Sequence, residues 1–359
     1  MRILLDVAHP ANVHYFKNFI NIAASRGHKI LVTARDKDVT LDLLEAYGFE
    51  YQNLGTGTIG SGIIGKILYV IYADWLMYKV FKRYQPEMAI SFSSSYVAHV
   101  SRLFKIPHIT FEDTEHARAN RLLYSHFTDI ILTPESFYED LGLNQFRFNA
   151  RMESFYLHRN RFSPKREDLK EIGIDPNTPY TLFRFVSWNA FHDIGEEGIQ
   201  DEHKSEFVKE AAKYGNVYIS SEGELPQSLS GYRLQIEPHR IHTVLAFASL
   251  YVGEGATMAS ECALLGVPSI YINSLPLMGY LLNAENAGLV FHLFSHSEVK
   301  EKLVQILENQ DSRQIFRSRR DLMLRHAIDP NDLLLWLVEK YPNSKREILD
   351  DLMNTSISE

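Results

Sequence analysis

The sequence predicts an α/β protein built from two doubly wound, Rossmann-like domains facing a cleft, and three observations carry that prediction. Short apolar runs alternate with longer segments of helical period from Arg2 to Thr133. The alternation breaks between Asn149 and Pro179, where the chain turns polar and carries Pro164, Pro176, Pro179 and the charged stretch Lys165–Glu171. It then resumes from Tyr180 to Ile272. With 359 residues the chain can fill two hydrophobic cores at roughly 150 residues each. The boundaries are placed at 1–160 for a first domain, 161–330 for a second domain and 331–359 for a helical tail that crosses back.

Each element has a local reason. The opening reads as strand Arg2–Val7, loop Ala8–Ala11 and a helix from Asn12 to Arg26 closed by Gly27, then strand Ile30–Thr33, which together make a βαβ unit. Helix Val39–Tyr47, a short strand near Tyr51, a long helix Lys66–Tyr84, strand Met88–Phe92 and helix Tyr96–Phe104 follow. Strand His108–Phe111, a helix near Asn120–His126 and strand Ile130–Thr133 end the first layer. The second layer reads as strand Tyr180–Val186, helix Ser205–Tyr214 and strands Val217–Ser220 and Arg233–Ile236. Helix Arg240–Phe247, strand Leu250–Val252, helix Met258–Leu265 and strand Ser269–Ile272 complete it. From Glu298 onward the pattern is helical, with an apolar stripe at Leu333, Leu334, Leu337 and Val338.

Composition removes several function classes. The 37 Lys plus Arg against 45 Asp plus Glu give a formal net charge of -8, which argues against broad binding to nucleic acid. The single cysteine, Cys262, can close no intrachain disulfide and make no paired thiolate zinc site, which fits the reducing cytoplasm. The start of the chain meets Asp6 after three apolar residues, unlike a signal peptide. The most apolar region, Ile59–Phe81, is interrupted by Lys66, Asp74 and Lys79 and is not read as a membrane span. Its mixture of Trp75 and Phe81 with Lys66, Lys79, Lys82 and Arg83 fits a helix at a lipid surface and, by preference, a buried amphipathic helix. Arg313, Arg317, Arg319, Arg320 and Arg325 form a basic stretch that reads as a solvated helix by default.

The segments that can carry chemistry lie just after strands. In the run from Leu250 to Glu261, an apolar strand enters a turn with Gly253, Glu254 and Gly255, and a helix starts at once with Thr257 near its N-cap. Backbone N–H groups at such a start suit phosphate oxygens. Glu261 lies one turn beyond Thr257. A turn with no ligand and a solvated Glu261 explain the same residues equally well.

The segment Glu237–Ile272, with Pro238-His239-Arg240-Ile241-His242 before the helix and Gly253 to Pro268 after it, resembles the donor half of GT-B glycosyltransferases and of UDP-N-acetylglucosamine 2-epimerases. The resemblance implies a GT-B-like fold and a nucleotide-sugar site. Gly253 and Glu254 would line its turn, Gly255, Ala256 and Thr257 would hold phosphate, Glu261 would hold ribose, and His239 would face the base. The stretch Asp6 to Asn18 is similar to the start of a prokaryotic family of uncharacterised GT-B-like proteins, nearly end to end. In several inverting GT-B enzymes a histidine in this loop is the base, which points to His9; a helix-capping role is the alternative. His14 is assigned to the acceptor side, with a place inside the helix as its ordinary explanation.

A third cluster, Glu112, Asp113, Glu115 and His116, gathers carboxylates and an imidazole past a strand, and with Asn120-Arg121 and Thr133-Pro134-Glu135 it resembles an epimerase stretch. Glu112, Asp113 and His116 are the catalytic candidates there, and N-capping is their ordinary role. Two departures count against an epimerase: Ser91-Phe92-Ser93-Ser94-Ser95 stands where those enzymes carry Gly-Asp-Thr, and Ser187-Trp188-Asn189 stands where they carry His-Arg-Arg-Glu. They favour glycosyl transfer, with Ser93 and Ser94 offering hydroxyls to a sugar or acceptor and Arg184 and Ser187 meeting a donor phosphate, a structural ion pair explaining Arg184 equally well. No cofactor and no metal is expected, the nucleotide diphosphate sugar, of the UDP type, being a co-substrate. Asp36-Lys37-Asp38 is read as a helix entry with Asp38 as N-cap. The expected partners are the nucleotide sugar and a glycan or lipid-linked acceptor, with peripheral membrane contact as an option. The expected role is transfer in cell-surface glycan synthesis; nucleotide-sugar epimerisation and non-catalytic nucleotide-sugar binding are the alternatives.

Overall fold

The computed structural model describes residues 1–56, 62–186, 199, 201–221 and 223–349. The chain divides into two compact units, one of Met1–Arg161 with the segment from Ala327 onward, the other of Phe162–His326.

The first unit is a seven-stranded sheet, every neighbouring pair of which is parallel. Its strands are β1 (Arg2–Val7), β2 (Lys29–Ala34), β3 (Tyr51–Asn53), β4 (Met88–Phe92), β5 (His108–Phe111), β6 (Ile130–Pro134) and β7 (Gln145–Phe148), in the order β3-β2-β1-β4-β5-β6-β7. The helices between them are α1 (Pro10–Ser25), α2 (Thr40–Ala46), α3 (Gly62–Tyr84), α4 (Ser95–Phe104) and α5 (Arg118–Tyr124), and α6 (Ser154–Leu157) follows β7. Strand β1 is apolar apart from Arg2 and Asp6, with Ile3, Leu4, Leu5 and Val7 fully buried, as a central parallel strand covered on both faces requires. Strand order reverses between β1 and β4, so the loops at their carboxyl ends diverge and leave a crevice.

The second unit holds a five-stranded parallel sheet of β8 (Tyr180–Phe185), β9 (Asn216–Ser221), β10 (Leu250–Gly253), β11 (Ser269–Tyr271) and β12 (Val290–His292), ordered β12-β11-β10-β8-β9. Its helices are α7 (Asp201–Ala211), α8 (Ile241–Phe247), α9 (Ala256–Leu265), α10 (Gly279–Asn286), α11 (His296–Glu308) and α12 (Ser312–Met323). Here the order reverses between β8 and β10. Two core clusters serve this sheet, one around Tyr251, Cys262 and Leu281 and one around Phe183, Phe207 and Leu303.

Helix α13 (Pro330–Lys340) belongs to the first unit and buries Leu334, Leu337 and Val338. It is tied there by Asn331, whose Nδ2 donates to Phe155 O at 2.9 Å, and by Arg161, whose Nε donates to Asp329 Oδ2 at 2.6 Å. Among the described residues no helix is long and apolar enough to cross a membrane.

Several local expectations need correction. Arg233–Ile236 is not a strand: it makes a single bridge, Ile219 to Arg233, after a short 3-10 segment. Strand β6 runs one residue beyond Thr133, through Pro134, and pairs with β7, a strand not expected from the sequence. Asp38 is not the N-cap of α2, which is Val39; Asp38 instead holds a left-handed backbone at φ 49°. Helix α9 begins at Ala256 with Gly255 as its N-cap, so Thr257 lies inside the first turn.

Candidate functional site

In the second unit the carboxyl ends of β8 and β10 meet at the reversal of strand order. Val252 pairs with Phe183 and Gly253 with Arg184. A Cβ at Gly253 would lie 2.6 Å from Tyr251 Oη and 2.8 Å from Arg184 O, so the close approach of β8 admits only glycine there. Glu254 follows, buried, and its carboxylate accepts from Val186 N at 2.9 Å and from Ile199 N at 2.7 Å. It therefore ties the turn after β10 to the backbone leaving β8.

Gly255 then opens α9, and no described side chain caps it. The N–H groups of a helix's first turn have no partner within the helix, and the helix dipole adds partial positive charge. Ala256, Thr257 and Met258 occupy that first turn, with Thr257 exposed. One turn on, Glu261 is buried, and its Oε1 lies 3.0 Å from Nε2 of the buried His242 on α8. Arg184 Nη1 donates to Ser220 Oγ at 2.8 Å. His239 is half-buried, with Nε2 3.7 Å from Glu237 Oε2. Ser187 lies outside the described residues.

In the first unit the loops after β1, β4 and β5 carry the remaining candidates. His9 is the N-cap of α1: its Nδ1 accepts from Ala11 N at 3.2 Å while the ring stays exposed. A neutral imidazole accepting at Nδ1 carries its proton on Nε2, so its basic nitrogen is already engaged. His14 is buried in α1, with Nδ1 3.1 Å from Tyr47 Oη and its ring 5.4 Å from that of Tyr156.

Glu112 and Ser93 form one device. Ser93 stands at φ 51°, a left-handed conformation uncommon outside glycine, and its N–H donates to Thr110 Oγ1 at 2.9 Å. Its hydroxyl lies 3.0 Å from Glu112 Oε2. The same carboxylate accepts from Tyr124 Oη at 2.5 Å, from Thr114 N at 2.9 Å and from Asp113 N at 3.1 Å. A carboxylate so fully engaged holds its turn.

Asp113 differs. It is half-buried and receives Thr114 Oγ1 at 2.9 Å. Burial, with the nearby charges of Glu153 and Glu112, pushes its pKa well above the usual carboxylate range. Once ionised, a carboxylate whose pKa is raised is a stronger base. His116 is exposed, and Ser94 is buried before α4.

The sequence reading passed over a second buried polar group at the same sheet edge. Asp6 is buried and accepts from Thr33 Oγ1 at 2.6 Å and from Tyr96 Oη at 2.5 Å. Beside it Arg35 is 4% exposed, with its guanidinium 4.3 Å from the Tyr96 ring and 4.7 Å from that of Tyr69. No described residue accepts a hydrogen bond from that guanidinium. An acid inside the apolar stretch Ile3–Val7 of the first strand is the signal for Asp6, and Arg35 has none.

Comparison with known proteins agrees with this architecture. Over 363 aligned residues the chain is 24% identical to an uncharacterized protein of Methanocaldococcus jannaschii, covering 94% of this chain and 98% of that one. The UDP-GlcNAc 2-epimerase of Neisseria meningitidis, solved bound to UDP-GlcNAc, superposes with a TM-score of 0.66 at 11% identity, covering 99% of this chain and 100% of the other. The glycosyltransferase VinC, solved in complex with dTDP, gives a TM-score of 0.62 at 12% identity over 96% and 100% of the two chains. The chain thus has the GT-B-like fold, and its residues 1–157 match the family described as protein of unknown function (DUF354).

Proposed function

We propose that the protein is a glycosyltransferase that takes a sugar from a nucleotide diphosphate sugar and passes it to an acceptor hydroxyl. The observation that carries this reading is the start of α9, open to solvent at Thr257 and set at the reversal of strand order by Gly253 and Glu254. In this reading the diphosphate accepts from the N–H groups of Ala256, Thr257 and Met258, and Arg184 adds a positive charge. Glu261, oriented by His242, accepts from the ribose hydroxyls. That two proteins of the same fold were solved with UDP-GlcNAc and with dTDP supports a diphosphate nucleotide, with UDP the first to test.

For the chemical step we assign the base to Asp113, in place of His9 and Glu112, whose acceptor atoms are occupied. The acceptor hydroxyl gives its proton to Asp113 as its oxygen bonds to the anomeric carbon. The bond from that carbon to the diphosphate breaks, and the electron pair leaves with the phosphate, whose growing charge the start of α9 stabilises. Ser93 and Ser94 line the acceptor side of the same edge.

A second reading is rearrangement of the nucleotide sugar itself, which the acid cluster favours: Asp113 follows Glu112 in one turn, and burial, with the charges of Glu153 and Glu112, raises its pKa. Calorimetric titration with UDP, dTDP, GDP and their sugar conjugates, with and without magnesium, tests the donor site. Micromolar binding of one nucleotide class supports it; no binding to any removes it. Incubation of the bound sugar nucleotide without acceptor then separates the readings. A changed sugar means rearrangement, and an unchanged donor consumed only with an acceptor means transfer.

A further inference from the structure

Helix α3 turns one face into the fold and leaves another outside it. Ala73, Met77, Val80 and Phe81 are buried against Tyr96, Val97 and Val100 of α4 and against Leu4 and Ala89 of the sheet. On the other side Leu68 is 51%, Ile71 61%, Tyr72 42% and Trp75 50% exposed. Their spacing of three and four residues places them in one stripe. The stripe continues into Lys79, Lys82 and Arg83, all exposed, and Lys79 Nζ lies 3.2 Å from the centre of the Trp75 ring.

The one acid in α3, Asp74, is withdrawn from that stripe: its carboxylate is 3.1 Å from His99 Nδ1 on α4. His99 Nε2 donates to Leu123 O at 2.7 Å, and the Phe127 ring stands edge-on to the imidazole at 4.8 Å. Leu123 and Phe127, 43% and 40% exposed, so extend the apolar surface beside α3. Among the described residues this exposed stripe of α3 joins aromatic and aliphatic side chains to three cations and no acid, in a chain of net charge -8.

We propose that this face of α3 binds the surface of an anionic phospholipid bilayer. Ile71, Tyr72 and Trp75 enter the headgroup region while Lys79, Lys82 and Arg83 meet lipid phosphates. The charge pattern decides the occupant. A second copy docking on the same face would have to offer acids to those cations, and the face has none. The contact is independent of the donor chemistry, since it involves none of the residues assigned to the nucleotide.

Sedimentation of the full-length protein with vesicles tests it, comparing phosphatidylcholine alone with phosphatidylcholine containing phosphatidylglycerol. The expected result is partition at least about 10-fold stronger onto the anionic vesicles, with a blue shift of tryptophan fluorescence. Ile71→Ser with Trp75→Ser should weaken that partition by about 10-fold or more, and Lys79→Glu with Lys82→Glu should abolish the preference for phosphatidylglycerol. All four side chains are exposed, so unchanged circular dichroism and melting will show that the variants fold. Absence of partition onto either vesicle, or partition unaffected by both variants, overturns the proposal. So does a dimer in light scattering that Trp75→Ser converts to monomer, which would assign the face to a second copy.

Discussion

His242 Nε2 on α8 lies 3.0 Å from Glu261 Oε1 on α9, and both side chains are buried. A buried carboxylate needs such a partner, because removing it from water unpaired costs several kcal/mol. The contact also sets the direction of the carboxylate one turn from the start of α9. We therefore expect Glu261→Ala to weaken UDP binding by about 1–3 kcal/mol, roughly 5- to 150-fold, when measured by calorimetry. His242→Gln, whose amide can still donate to the carboxylate, should weaken it less. An unchanged dissociation constant in Glu261→Ala would leave the pair a purely structural contact.

Glu254 satisfies two backbone donors, Val186 N and Ile199 N, that come from either end of one segment. Glutamine keeps one accepting oxygen but sets an NH2 group against the second donor. Glu254→Gln should lower unfolding stability by about 1–3 kcal/mol in urea titration. A midpoint equal to the parent's would show that solvent replaces those bonds.

Asp113 and His9 make opposite predictions. Asp113→Asn should leave nucleotide affinity intact and cut turnover by about 100-fold or more. His9→Ala removes a helix cap and should cost about 1 kcal/mol of stability with turnover nearly unchanged. A large loss of turnover in His9→Ala, with full activity in Asp113→Asn, would exchange the two assignments.

Asp113 also has a signature in stability. Its folded pKa is raised, so the native state holds a proton that the unfolded chain releases above about pH 4. Its contribution is therefore present below that pH and is lost as pH rises through the folded pKa. Asp113→Asn should gain stability relative to the parent as pH rises from 4.5 to 8 in urea titrations, and a constant difference would contradict the raised pKa.

His108 works in the other direction. It is buried between Ser91 Oγ at 2.9 Å and Thr128 Oγ1 at 3.0 Å, and burial pushes its pKa down to about 3. The unfolded chain binds a proton near pH 6.5 that the native state refuses until about pH 3, so stability should fall as pH drops through that window. The slope from this group is at most about 1.4 kcal/mol per pH unit. His108→Gln should flatten it in urea titrations between pH 4 and 6.5.

Much of the architecture could be read locally. Strands β1, β4 and β5 were placed to the residue, because a buried parallel strand is a bounded apolar run between turn residues. Strand β12 was missed because Val290–His292 is too short to display a period. Arg233–Ile236 was misread because its apolar and polar residues alternate like a strand, yet a strand exists only where a neighbour pairs with it.

The order of apolar and polar residues along the chain thus determined by itself the α/β class, the two alternating layers and the position of the glycine turn before α9. Each is dictated by period, chain stiffness and turn chemistry within a few neighbouring residues. Tertiary structure alone decided which candidate side chains are occupied and which are poised. It set Glu112 against Ser93 and Tyr124, Glu254 against two distant backbone donors, and His242 against Glu261. It also gave Asp113 the neighbour Glu153, 40 positions along the chain. Those outcomes depend on burial and on partners far away in sequence, and the free energy of a proton or a hydrogen bond is set by what surrounds the group in space.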